Sequence, residues 1–178
     1  ILFELKRYDD SIKQWKKTIE LNPKYHFGYN NLGNAHFKKK NFKEALNCYH
    51  KAIHIKPDYY EAYHNKGNVF RKTNDFANAI ESFDKALKIR SDYLPALKNI
   101  TELYVKQKNF SEAIKALNRI SFYDPNNIKT YIQKANIFFE INSFKEGIKN
   151  YQTAYDLNPE YPFLLGDFIH AKAKICDW

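Results

Sequence analysis

His26 to Tyr59 reads HFGYNNLGNAHFKKKNFKEALNCYHKAIHIKPDY, and this stretch decides the fold because it returns three times. The copies are 60–93, 94–127 and 128–161, each 34 residues long with no insertion or deletion. Pro23, Pro57, Pro125 and Pro159 fall on one place in the period, with Ser91 in the gap. Ala45, Ala79, Ala113 and Gly147 share a second place, and Phe42, Phe76, Phe110 and Phe144 a third, held by Tyr8 in the partial first copy. Repetition at this length marks a solenoid, in which one unit cannot bury its apolar face alone and stacks on its neighbours.

Each full copy predicts two helices. Helix A is expected over about Phe27–Lys39, Glu61–Thr73, Pro95–Gln107 and Lys129–Ile141. Helix B is expected over Phe42–Ile55, Phe76–Ile89, Phe110–Tyr123 and Phe144–Leu157, with Asp9–Leu21 as the helix B of a partial copy over 1–25. Asn22-Pro23 stops that helix, since proline cannot continue one. Asn41-Phe-Lys-Glu44, Asn109-Phe-Ser-Glu112 and Ser143-Phe-Lys-Glu146 have the form of a capping box, with Asp75-Phe-Ala-Asn78 a weaker version. Asp58, Asp92 and Asn126 are expected to cap the next helix A. Gly33 and Gly67, with Thr101 and Ala135 as counterparts, are expected to face Ala45, Ala79, Ala113 and Gly147 where helices cross closely. Tyr29, Tyr63, Leu97 and Tyr131, with Tyr49, Phe83, Leu117 and Tyr151, fill between.

These residues resemble the tetratricopeptide repeat family. In the second copy Tyr29, Leu32, Gly33, His36, Ala45, Tyr49, Ala52 and Pro57 stand where that family has aromatic, Leu, Gly, aromatic, Ala, aromatic, Ala and Pro. Departures are His36 at an aromatic place, Lys66 and Lys134 at the Leu place, Ser91 at the Pro place and Ile120 at an Ala place. The expectation is an all-α, α–α superhelical solenoid of about 4.5 repeats. A capping helix over Phe163–Ile175, within 162–178, covers the last copy and forms a junction to whatever follows.

The end of the chain, LLGDFIHAKAKICDW, resembles the junction between repeats and glycosyltransferase region in protein O-GlcNAc transferases of the Spindly type. The residues that carry it are Leu164, Leu165, Gly166, His170, Lys172, Cys176, Asp177 and Trp178. It implies that the array is the substrate-selecting arm of such an enzyme. The competing reading is a generic solenoid cap on a free-standing scaffold or assembly adaptor.

The chain itself shows no enzyme signature and calls for no cofactor. It has no phosphate-cradling glycine loop, and four of its five glycines, Gly28, Gly33, Gly67 and Gly147, sit at repeat positions. His50 and His54 have i,i+4 spacing but no third ligand beside them, and read as solvated surface histidines rather than metal ligands. Cys48 reads as a small apolar residue of helix B. His170 and Cys176 lack a third group and are not a nucleophile pair. Two distant cysteines, no signal-peptide h-region and no apolar run of about eighteen residues argue for a cytoplasmic protein without a disulfide scaffold or membrane span. The net charge of +9 rests on Lys, with only four Arg among 29 basic residues, which disfavours nucleic-acid binding. With no Met, the chain reads as beginning inside a longer protein or after a removed segment. Ile12, Trp15 and Ile19 would then lack part of their cover, giving self-association through that end or marginal order in residues 1–10.

The binding signal lies on helix A. Opposite its packed stripe run Phe27, Asn30, Asn31, Asn34, Phe37 and Lys38. One place holds an amide in every full copy, as Asn31, Asn65, Asn99 and Gln133, and a second row is Asn34, Asn68 and Asn136 with Glu102 interrupting. A primary amide both donates and accepts, so one per repeat can grip an extended peptide backbone. The same ladder is a feature of the repeats in O-GlcNAc transferases, as the resemblance implies. Two alternatives stay open. The amides can bond between repeats, or a carboxylate clamp can form from His64 with Asn68, then Asn99, then Lys129 with Gln133.

Overall fold

The computed structural model describes residues 7–162 and 164–176, with side chains through Ala173. Among these residues the chain is α-helical with no strand. The helices are α1 (Tyr8–Leu21), α2 (His26–Lys38), α3 (Phe42–Ile55), α4 (Tyr60–Lys72) and α5 (Phe76–Ile89), then α6 (Leu94–Lys106), α7 (Phe110–Tyr123), α8 (Ile128–Glu140), α9 (Phe144–Leu157) and α10 (Leu164–Cys176). The fold is the expected all-α solenoid. The four full-copy helices B fall on their predicted bounds, whereas every helix A starts and ends one residue earlier. The expectation for the first residues falls partly on 1–6, which lie outside the described residues, and α1 is helical from Tyr8.

The chain divides into two compact units, residues 1–96 and 97–178. In the first, α2 pairs with α3 and α4 with α5, around Ala45, Tyr49 and Val69 in one cluster and Ala52, Tyr59 and Ala62 in another. In the second, α8 and α9 pair, and α10 lays Leu164, Phe168 and Ala171 against Ala135, Tyr151 and Ala154. α10 thus covers the last full copy with one face, leaving Leu165 and Ile169 exposed.

Gly33 and Gly67 on helix A lie under aromatic rings of helix B. A Cβ built on Gly33 would stand 2.6 Å from Cε1 of Tyr49, and one on Gly67 the same distance from Cε1 of Phe83. In the last copy the relation reverses: Gly147 on α9 lies under Phe139 of α8, at 2.5 Å. A ring packed this closely on a helix needs the absence of a side chain beneath it, so glycine follows the ring.

The turns between helices also correct the capping expectation. Lys40, Asn74, Lys108 and Asn142 each have φ between 55° and 61°. Each sits between a pair of bonds that closes helix A. Lys40 N–H donates to the Phe37 carbonyl (2.9 Å), and Asn41 N–H to that of His36 (2.9 Å). The same two bonds recur at 74–75, 108–109 and 142–143. This is the Schellman closure, and it takes the N–H that a reciprocal capping box would offer to its Glu. Within the same closure Asn41 and Ser143 make no side-chain cap, while Asp75 and Asn109 accept from the N–H of Asn78 (3.3 Å) and Glu112 (3.4 Å). Helix A is entered through Tyr25, Tyr59 and Asn127, not through Asp58 or Asn126. Asp92 accepts instead from Arg90 Nε at 3.0 Å.

Candidate functional site

Helix A carries every residue of the two amide rows, and the structure gives them different employments. In residues 1–96, Asn31 is half-buried and its side-chain amide has no hydrogen-bond partner among the described residues. Asn65 donates through Nδ2 to Asn30 Oδ1 of the preceding copy, at 2.9 Å. Asn30 is buried at 5% exposure, so it leaves the outward stripe in which its helical spacing placed it. In residues 97–178, Asn99 is half-buried, while Gln133 is exposed with its amide unpartnered among the described residues.

The second row is tied to helix B. Tyr49 donates its hydroxyl to Asn34 Oδ1 at 2.8 Å, and Tyr151 to Asn136 Oδ1 at 2.5 Å. Burial pushes both phenol pKa values up, so the hydroxyls stay protonated donors. The signal was present in the sequence as an Asn and a Tyr fifteen residues apart in two copies. Where helix B has Phe83, the row's Asn68 turns to His64 Nε2 at 3.4 Å. Where it has Leu117, the row carries Glu102.

His64 packs against Phe83 and edge-on to Tyr93, with ring centroids 5.6 and 5.2 Å away. Burial, aided by the charge of Arg71, holds its pKa down at about 4. The imidazole is therefore neutral near pH 7 and brings no positive charge to the carboxylate clamp, whose first cationic group it would be. Lys129, the clamp's other cation, is exposed on α8.

Two further sequence expectations find their residues. Cys48 is buried and unpaired, and burial raises its thiol to about 11, which suits an inert packing residue. His50 and His54 are both exposed, and no group of three or more His, Cys, Asp or Glu gathers as a metal site among the described residues. Lys134 was missed. It is 7% exposed at the place Leu32 holds, and it donates to Ser121 Oγ at 2.7 Å.

Two cavities of residues 97–178 adjoin helix A. One, of about 330 Å³, lies between α6 and α8, with Val105 and Ile137 as its apolar part and Gln133 at its edge. The other, of about 340 Å³, lies between α8 and α10, with Phe139 and Tyr151 behind Glu140, Asp167 and His170. No described helix is long and apolar enough to cross a membrane.

Family models described as tetratricopeptide repeat match residues 27–59, 70–135 and 128–161, and one described as TPR repeat matches 1–40. Together they span most of the chain, which belongs to the tetratricopeptide repeat family. No curated protein matches. Among solved structures, the chain is similar to MamA, at 18% identity and a TM-score of 0.78, over 89% of this chain and 93% of that one. It is also similar to YrrB, described as a TPR protein with an unusual peptide-binding site, at 16% identity and a TM-score of 0.72, over 93% and 86%. A third likeness, to residues 41 to the end of MamA from Desulfovibrio magneticus RS-1, has 20% identity and a TM-score of 0.71, over 85% and 86%.

Proposed function

We propose that this chain is a protein–protein interaction module that binds an extended peptide or protein segment along its helix A surfaces. The observation that carries the reading is the cavity between α6 and α8. Gln133, exposed and with its amide unpartnered among the described residues, lines a hollow together with Val105 and Ile137. That pairing offers a backbone one donor and one acceptor while a side chain enters apolar space. Asn31, half-buried in residues 1–96, adds a second side-chain amide with no partner among the described residues. YrrB, which shares the fold, is described as having a peptide-binding site. Asn34, Asn68, Asn136, Asn65 and Asn99 stand beside these amides in the reading, positioning the helix A surface.

The test is selection of random dodecapeptides displayed on phage against the intact chain, followed by affinity measurement on the strongest clone. Enrichment, with a Gln133→Ala loss of roughly 2- to 12-fold, supports the reading, since one amide hydrogen bond is worth ~0.5–1.5 kcal/mol. Failure to enrich any clone overturns it.

The finer reading makes the array the substrate-selecting arm of a protein O-GlcNAc transferase-like glycosyltransferase. It is supported by the residues Leu164–Gly166, His170, Lys172 and Cys176–Trp178, and by α10 holding Leu165 and Ile169 at 49% and 59% exposure, an apolar face suited to further protein. The alternative is a free-standing scaffold. The sequence of the parent protein beyond Trp178 separates the two: a glycosyltransferase region supports the first, and its absence supports the scaffold.

A further inference from the structure

The two cavities of residues 97–178 are one cavity repeated. Six of the seven residues lining the α6–α8 cavity, advanced by 34 positions, give residues lining the α8–α10 cavity, which adds Tyr151 in place of a counterpart to Thr101. Glu102 becomes Asn136, Val105 becomes Phe139, Lys106 becomes Glu140, Gln133 becomes Asp167, Asn136 becomes His170 and Ile137 becomes Ala171. Asp167 therefore occupies the ladder place, and the amide row continues onto α10 as a carboxylate. What repeats is the shape, and what changes is the charge.

The first cavity carries Glu102 and Lys106, which balance. The second carries Glu140 and Asp167, with no lysine or arginine among the described residues that line it, in a chain whose net charge is +9. Both carboxylates are exposed and have no hydrogen-bond or ion-pair partner among the described residues. Behind them Phe139 and the 6%-exposed Tyr151 supply aromatic surface, their ring centroids 5.9 Å apart. The Asp167 charge adds to burial in raising the Tyr151 hydroxyl, so it acts on the aromatic wall itself.

We propose that the cavity between α8 and α10 takes the lysine or arginine side chain of an extended peptide. This rests on the peptide-binding reading above and specifies its partner. A long cationic side chain lays its aliphatic stem along Phe139 and Ala171 and brings its head to Glu140 and Asp167, where charge-assisted bonds and the ring faces both favour a cation. At about 340 Å³ the space is at the small end of ligand pockets and takes one side chain rather than a folded element. Neighbouring helices pack roughly 10 Å apart and extended chain advances ~3.3 Å per residue, so the two cavities sit about three residues apart on a peptide. The partner motif is an aliphatic residue for the Val105 and Ile137 cavity and a basic residue about three positions away. It opposes the choice that net charge alone implies, an acidic partner.

The experiment uses the dodecapeptides selected on the intact chain. The strongest clone is synthesised with its basic position as Arg, Gln or Glu, and binding is read by fluorescence anisotropy. Expected are enrichment of Lys or Arg at one position, a roughly tenfold or greater loss with Gln or Glu there, and a similar loss for the Glu140→Gln, Asp167→Asn double variant. Glu160→Gln, on the same unit and away from both cavities, leaves binding unchanged. Glu140→Lys turns the preference toward the Glu peptide, a gain that a misfolded variant cannot show. Peptides that enrich without a basic position, or that bind the double variant undiminished, overturn the cation pocket and leave the peptide reading standing. Absence of any enriched clone overturns both.

Discussion

Asn65 Nδ2 donates to Asn30 Oδ1 across 2.9 Å, from one copy of the repeat to the one before it, and Asn30 is only 5% exposed. The bond turns one rung of the amide row into a cross-repeat tie. Asn65→Ala leaves the Asn30 oxygen buried without this donor, which costs about 1–3 kcal/mol. Gln133→Ala removes an exposed, unpartnered amide and changes stability by less than ~0.5 kcal/mol. Urea denaturation of both variants measures the contrast, and equal losses would refute the different employments of the two rungs.

Gly67→Ala and Gly33→Ala each drive a methyl to 2.6 Å from a ring carbon of Phe83 or Tyr49. Overpacking of this kind costs about 1–3 kcal/mol, more than the ~1 kcal/mol gained in helix propensity. Gly166 on α10 has nothing within 4 Å of an added Cβ, so Gly166→Ala stabilises by up to ~1 kcal/mol. Thermal melts of the three variants should show two losses and one gain.

Lys40 and Lys108 hold left-handed backbone at φ 61° and 55°, in the place filled by Asn74 and Asn142 in the other turns. Lys108→Gly relieves a conformation that costs a side-chain-bearing residue about 1–2 kcal/mol, set against the greater freedom glycine gains when unfolded. A net gain of about 0.5–1 kcal/mol in chemical denaturation is expected. A loss would show that the lysine side chain, rather than the turn geometry, stabilises this closure.

His64 makes stability depend on pH. Its folded pKa, about 4, lies below the ordinary 6.5, so between these values the unfolded chain binds the extra proton. Its contribution is complete above pH 6.5 and falls as the pH drops toward 4, by about 2 kcal/mol between pH 7 and pH 5. His26, His36 and His50 are lowered by burial too and act in the same direction. His64→Asn, which installs the residue of the preceding copy, should flatten the profile by that amount. Parallel profiles for the two proteins would show that His64 titrates normally.

The helices were legible because their determinants are local and recur. Phe42, Phe76, Phe110 and Phe144 open each helix B one residue after an Asn, Asp or Ser, and helix B fell where that pattern put it. Helix A was read one residue late at each end. The sequence pattern puts its start at Glu61 with Asp58 as the cap, whereas the helix begins at Tyr60 and the chain enters through Tyr59; its end is set by a backbone closure at Lys40 that no side chain announces.

By itself, the sequence determined the period, the order of helix A and helix B, and which positions are equivalent 34 residues apart. These follow from turn residues and apolar spacing within a single copy. Only the tertiary structure decided what each equivalent position does. Asn34 and Asn136 accept from a tyrosine fifteen residues on, Asn65 is bonded to the copy before it, and Gln133 is left exposed with its amide unpartnered among the described residues. Asp167, at the same place in the period, faces a cavity walled by Phe139 and Tyr151. The physical reason is that a hydrogen bond or a cavity belongs to the two surfaces that form it. A repeat fixes where a residue stands on its own helix, and the neighbouring helix, with a different side chain in each copy, fixes whether that residue meets a partner or open space.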